Sequence, residues 1–351
     1  MRLSIPEAAT VSHSNSALMT RSTTDPNIPV IYQYAGRDAT AAYSEIHAPS
    51  ILTSNLPSSK CIGAVDKTTI DPDWARPPPE KTPELQLNEK PPLHTLINAH
   101  DFEEVASRTL TKKTWAFYSS AATDLLTRNA NKSAFDRLWF RPRILRNVRD
   151  VSTRTRILGA DVSMPLFISP AAMARLVHPE GEKAMARACA EKGVAQCISN
   201  NASFTVGEIV ECQPKGHPFF FQLYVNRDRK KSEQHIRQAK ELGCRGIWVT
   251  VDAPVIGKRE ADERVKAEGT ETSSMSGSKA GNDAKGGGLG RMMGSYIDSS
   301  LTWEDLEWLK SITDLPIVLK GVQHAEDARL AVEHGLQGIV VSNHGGRSLD
   351  G

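Results

Sequence analysis

From Pro165 onward the chain alternates short apolar runs with longer stretches whose apolar residues recur at helical spacing. The runs are "PLFIS", "AQCIS", "FFFQLYV", "GIWVTVD", "PIVLK" and "GIVVS", and between them lie segments such as "GEKAMARACAEKG", "KKSEQHIRQAKELG" and "AEDARLAVEHG". Runs without polar alternation are buried on both faces, and helices between them imply a parallel sheet. The pattern predicts about six βα units in an α/β fold, which at this point suits either a (β/α)8 barrel or a doubly wound sheet. Upstream, "DFEEVASRTLTKKTWAFYSSAATDLL" reads as helices, with Asp101 as a candidate N-cap and Glu104 three residues on. One long interval breaks the rhythm: residues 273–295, "SSMSGSKAGNDAKGGGLGRMMGS", have the composition of a flexible excursion, a mobile lid or disordered loop after the fourth run. Its "GGGLG" has the glycine density of a phosphate loop, but no strand-like run precedes it and no clear helix start follows.

The first 92 residues read differently. Residues 1–29 hold two arginines and several serines, which fits a targeting peptide or a disordered tail. Residues 65–92, including "DPDWARPPPEKTPELQLNEKPP", are proline-rich and charged and predict an extended linker before a domain at 93–351.

Composition narrows the function classes. Against 43 basic residues stand 41 acidic ones, so there is no excess of charge to bind nucleic acid. No apolar stretch reaches the roughly 18 residues that span a bilayer, so no membrane partner is expected. The five cysteines form no C-x-x-C pair and mostly sit within apolar patterns, as reduced core thiols do; no metal site is predicted.

Each apolar run ends in groups able to hydrogen-bond or titrate: Ser169, Ser199, Gln222 with Tyr224, Thr250 with Asp252, Lys320, and Ser342 with His344. At the C-terminal edge of a barrel these side chains would converge on one mouth, and a doubly wound sheet also binds ligands at its strand ends. His344 could act as a base with Asp252, on a neighbouring strand, fixing its tautomer, or it could be a structural loop histidine. Arg347 and Arg259 place two guanidiniums near the same edge, a pairing suited to a carboxylate, unless Arg259 pairs with Glu260 or Glu263. Lys320, ending a strand, needs a carboxylate or an electron-rich ligand.

"FFFQLYVN", "VTVDAPVIGKREAD", "SLTWEDLEWLKSITDLPIVLKGV" and "IVVSNHGGRSLDG" closely resemble the FMN-dependent 2-hydroxy acid oxidases and dehydrogenases, a family that includes glycolate oxidase and the flavocytochrome type of L-lactate dehydrogenase. The resemblance runs from about Pro92 to Gly351 and implies the TIM barrel rather than the open sheet, with FMN as cofactor. It implies His344 as the base and Asp252 as its partner, Arg347 and Arg259 on the substrate carboxylate, and Tyr224 on its hydroxyl. Lys320 would lie beside the flavin N1 and O2, with Ser169, Pro170, Ala171, Ala172, Met173, Ser199, Gln222, Thr250 and Ser342 completing the flavin site. Phe117 stands where the family has a substrate-contacting tyrosine, a lost hydrogen bond of about 0.5–1.5 kcal/mol, and Ala171 replaces a threonine.

The reaction implied is oxidation of a lactate-like L-2-hydroxy acid, with cytochrome c as acceptor, or oxygen if the chain is an oxidase. A homo-oligomer and a mitochondrial intermembrane-space location go with it, the cytoplasm being the alternative. Residues 30–64 resemble the end of a b-type cytochrome domain, with His47 at a haem-ligand position. The other ligand's H-P-G-G motif is absent, so haem binding is not expected. The family's D-G-G-x-R-x-G and G-R phosphate motifs are also absent. The expectation is therefore an incomplete barrel, truncated at its C-terminus, that holds FMN weakly and turns over little, or an inactive fragment.

Overall fold

The computed structural model describes residues 90–351, which lie within one compact unit, Leu87–Gly351. The tail, the cytochrome-like segment with His47, most of the proposed linker and Cys61 fall outside the described residues.

Three helices open the unit: α1 (Ala99–Thr109), α2 (Lys112–Ser119) and α3 (Leu126–Ala134). The expected cap is displaced by three residues. Asn98, not Asp101, is the N-cap of α1: its side chain accepts from the His100 and Asp101 amides, while the Asp101 carboxylate reaches back to the Asn98 amide. Asp101 thus supplies the acidic half of a capping box whose other half is an asparagine. A coil with exposed Leu138, Trp139 and Phe140 follows, then a hairpin, β1 (Thr155–Ile157) against β2 (Ala160–Val162).

The remaining chain winds β3 (Phe167–Ile168), α4 (Gly181–Lys192), β4 (Ala195–Ile198), α5 (Val206–Val210), β5 (Phe219–Leu223), α6 (Arg229–Glu241) and β6 (Ile247–Thr250). After β6 come α7 (Glu260–Arg264), a small hairpin of β7 (Glu271–Thr272) and β8 (Lys279–Ala280), α8 (Leu289–Met293), α9 (Asp305–Ile312), β9 (Ile317–Val322), α10 (Ala325–Glu333) and β10 (Gly338–Val341). All six predicted apolar runs are strands of one sheet, ordered β10-β9-β6-β5-β4-β3 and parallel throughout. Each new strand is added beside the last with no reversal of direction. A doubly wound sheet would contain a reversal; this order is that of a curling barrel wall, here six strands with β3 and β10 at the edges.

Alternation along the strands sorts two cores. Phe219, Phe221, Leu223, Ile247, Val249, Ile317 and Leu319 face the helices and pack with Ile209, Ile236, Leu306 and Leu309. Residues of opposite parity, Phe220, Trp248 and Val318, join Cys197 in the barrel interior, closed below by Val162 of β2. Because the side-chain period of a strand is two, Gln222, Thr250 and Lys320 share the interior parity and rise above this plug toward the mouth.

The excursion after β6 is not the loose lid its composition suggested. Met275, Ala280, Leu289 and Met293 in it are buried, and a helical turn begins directly after the glycine run, at Leu289. The cysteines agree with the reading of core thiols: Cys189, Cys197 and Cys244 are buried and Cys212 is half-buried, all four free. No helix among the described residues is long and apolar enough to cross a membrane, and no group of three or more His, Cys, Asp or Glu residues could hold a metal ion there.

Candidate active site

His344 follows β10, and its Nδ1 lies 2.6 Å from Asp252 Oδ1. An ionised carboxylate only accepts, so Nδ1 carries the proton and the Nε2 lone pair is left for chemistry. Nε2 faces the Tyr224 hydroxyl at 3.2 Å. Asp252 does not reach His344 from an adjacent strand, as the sequence suggested, since β9 lies between β6 and β10. The carboxylate crosses over β9 at Gly321, where a Cβ would sit 2.5 Å from the Asp252 Cβ and Cγ. Only glycine permits that crossing, and its φ of +111° is one that other residues rarely adopt.

Electrostatics poise the dyad. Burial favours neutral Asp252, but the hydrogen bond and charge of His344, with Lys320 3.6 Å away, hold its carboxyl below the ordinary value. Burial lowers the His344 pKa, opposed by the bond to Asp252, so the imidazole is neutral near pH 7 and available as a base. Burial also lowers Lys320, with Asp252 opposing. Burial and the Asp252 charge raise the Tyr224 phenol, which therefore stays a donor.

Both arginines are at this mouth. Glu260 and Glu263 do not take Arg259; they pair with Lys258 and Arg264, and with Arg291. Burial, and then repulsion from Arg347, lower the Arg259 pKa to about 10. Its buried Nε has no hydrogen-bond partner among the described residues. Arg347 donates to the Tyr118 carbonyl at 2.6 Å, which aims it from the side of α2. Two desolvated cations with an unused donor form a site for an anion.

A cavity of about 340 Å³ gathers Phe117, Ser169, Pro170, Ala171, Ala172, Ser199, Gln222, Tyr224, Arg259, Lys320, Ser342, His344 and Arg347. Three predicted residues are not in its wall. Asp252 stands behind His344. Thr250 accepts from Gln222 Nε2 at 2.9 Å and lines a second cavity. Met173 packs with Phe117, Ala280, Leu289 and Met293, and contributes at the site through its backbone, donating to the Asn201 carbonyl. The Ser169–Ala172 turn, Ser199, Gln222 and half-buried Lys320, all lining the cavity, have the donor set a flat heteroaromatic ring with carbonyl oxygens would need, so the residues present fit a flavin ring.

Sequence reasoning missed several wall residues. Tyr118 donates to the Ala172 carbonyl at 2.5 Å, tying α2 to the turn after β3. Asn201 accepts from Tyr296 at 3.2 Å, and Ile256, Met293 and Ile297 add an apolar lobe. Asn201 could have been found as the inward neighbour of Ser199; Met293 could not, because nothing in a Gly/Ser-rich composition says it returns to the mouth.

The chain belongs to the FMN-dependent dehydrogenase family, whose pattern matches residues 106–351. It is 42% identical over 330 residues to the L-lactate dehydrogenase (cytochrome) of Wickerhamomyces anomalus, an alignment covering 93% of this chain and 57% of that protein. It is 43% identical over 266 residues to the glycolate oxidase of Spinacia oleracea, covering 73% of this chain and 70% of the relative. Among solved structures, the recombinant flavin-binding domain of baker's yeast flavocytochrome b2 matches with a TM-score of 0.65 and 43% identity, over 74% of this chain and 62% of that one. The chain thus spans little more than half the length of the cytochrome-type relative.

Proposed function

We propose that this chain binds FMN and oxidises a small L-2-hydroxy acid, lactate-like in class, to the 2-oxo acid. The observation that carries the reading is the meeting, in one cavity, of a neutral imidazole whose unprotonated Nε2 faces the Tyr224 hydroxyl and two largely desolvated guanidiniums. Arg259 and Arg347 bind and orient the substrate carboxylate, and Tyr224 holds its hydroxyl. His344 Nε2 takes a proton from the substrate, either from the α-carbon or from the hydroxyl if the α-hydrogen leaves as hydride. Asp252 stabilises the imidazolium formed. FMN, when bound, supplies the acceptor for the two electrons. Ser169, Pro170, Ala171, Ala172, Ser199, Gln222, Lys320 and Ser342 would hold its ring, supported from behind by the Met173 backbone and by Thr250 through Gln222, with the Lys320 ammonium stabilising negative charge there.

Cytochrome c as the onward acceptor belongs to the same proposal and is supported by similarity to a dehydrogenase named for its cytochrome; a mitochondrial intermembrane-space location goes with that acceptor, the cytoplasm being the alternative. Resemblance to glycolate oxidase supports oxygen as the other acceptor. The test is to purify the chain with FMN and follow flavin bleaching with lactate, glycolate and mandelate, then turnover with cytochrome c or oxygen. No bleaching with any of the three at saturating FMN would sink the proposal.

A further inference from the structure

The glycine run of the excursion and a buried ion pair remain unused by this chemistry. Lys113 and Asp262 are 8% and 1% exposed. Lys113 Nζ donates to Asp262 Oδ1 at 2.6 Å and to the Asp262 carbonyl at 2.5 Å, while Asp262 Oδ2 accepts from the Gly290 amide at 2.9 Å. The spacing on each side is helical. Lys113 and Phe117 are one turn apart on α2; Arg259 and Asp262 are one turn apart at the start of α7. Lys113 meets Asp262, and the Phe117 ring centroid lies 5.9 Å from the Arg259 guanidinium carbon.

The glycines close the brace. A Cβ on Gly287 would meet the Val265 carbonyl at 2.1 Å and Lys113 Nζ at 2.8 Å, and one on Gly290 would lie 3.0 Å from the Arg259 guanidinium carbon and Nη1. "GGGLG" is therefore a close-approach surface against a lysine and an arginine, which accounts for its glycine density.

We infer that Lys113, Asp262 and Gly290 are positioning residues: they fix the Arg259 guanidinium between the Phe117 ring and the Gly290 backbone, so that it stays presented to the cavity where a carboxylate would bind. The inference rests on the anion-binding reading of the site. An arginine side chain has many rotamers, and ordering it beforehand removes an entropic cost from ligand binding. Asp262 is paired with Lys113, and among the described residues neither Arg259 nor Arg347 has a carboxylate within salt-bridge distance.

The test uses the full chain and oxalate as the anionic probe, with affinity measured by calorimetry. Arg259→Met should abolish binding. Gly290→Ala, which leaves every charge in place, should weaken it about tenfold, as should Lys113→Met. Lys113→Arg, which keeps a cation on Asp262, should recover most of the loss, a rescue that bulk destabilisation would not track. The melting temperature of Gly290→Ala should match that of the unmodified chain, so this variant decides the matter even if Lys113→Met fails to fold. If Arg259→Met loses oxalate while Gly290→Ala and Lys113→Met bind it like the parent, the positioning role is overturned and the anion site stands. If the parent chain binds no oxalate, both fall.

Discussion

β4, β5 and β6 are buried at every position, whereas β10 alternates between half-buried and exposed, with Val341 78% exposed. Yet β10 delivers His344 and Arg347. The centre of the sheet is held by apolar packing on both faces; the loop after β10 is held by polar ties to the opening helices. Asp350 accepts from the Thr123 hydroxyl and from the amides of Asp124, Leu126 and Thr127, at 2.7–3.3 Å. Asn343 and Asn131 exchange amide hydrogen bonds of 2.8 and 2.9 Å, and Gly346 accepts from the Ala122 amide. Stability and chemistry thus rest on different kinds of interaction in different strands, and each can be perturbed with little effect on the other.

The largest effect should be on turnover. Replacing His344 with Gln removes the base and should lower kcat by about 10²–10⁴-fold, with the urea midpoint little changed. In the parent chain kcat/KM should fall as acid protonates His344, with a midpoint below the usual 6.5 because burial lowers its pKa; a midpoint above 6.5 would contradict the burial argument. Next, Phe221→Ala, in a fully buried position of β5, should cost about 3–5 kcal/mol of stability by urea denaturation.

A smaller effect is expected at Asp350, whose carboxyl is pushed down to about 2 mainly by the Thr127 amide. A lowered carboxyl pKa stabilises the fold above the ordinary carboxylate range, and that contribution is lost as pH falls through the lowered value. The melting temperature of Asp350→Asn should therefore lie below the parent's by a constant margin at pH 5–7, closing as the pH nears 2. Smallest of all, Val341→Ala should shift stability by less than about 0.5 kcal/mol, as exposed substitutions do. A shift as large as that of Phe221→Ala would mean that β10 is covered in solution.

The same contrast explains what could be read from the chain beforehand. Short, mostly apolar runs without polar alternation announce themselves, and all six runs are strands. The polar residues ending them were legible because strand parity carries Gln222, Thr250 and Lys320 upward together. What depends on contacts between distant segments left no local signal. The Asn98 cap differs from the predicted Asp101 because both residues serve one capping box and sequence does not say which leads. The excursion was misread because glycine marks close approach as well as freedom, and only the positions of Val265, Lys113 and Arg259 distinguish the two. The crossing of Asp252 over β9 was likewise hidden, although the glycine that allows it stands in plain sight in "VLKGV".

That crossing has a further consequence. A slip of β9 by one residue would place a side chain where Gly321 now leaves room and would turn Lys320 away from the mouth. The imidazole could then no longer find its carboxylate. Circular dichroism would count the slipped strand as readily as the correct one, but a slipped molecule could not turn over. Specific activity therefore acts as a census of molecules in register, and a refolded sample can be graded by comparing the two signals.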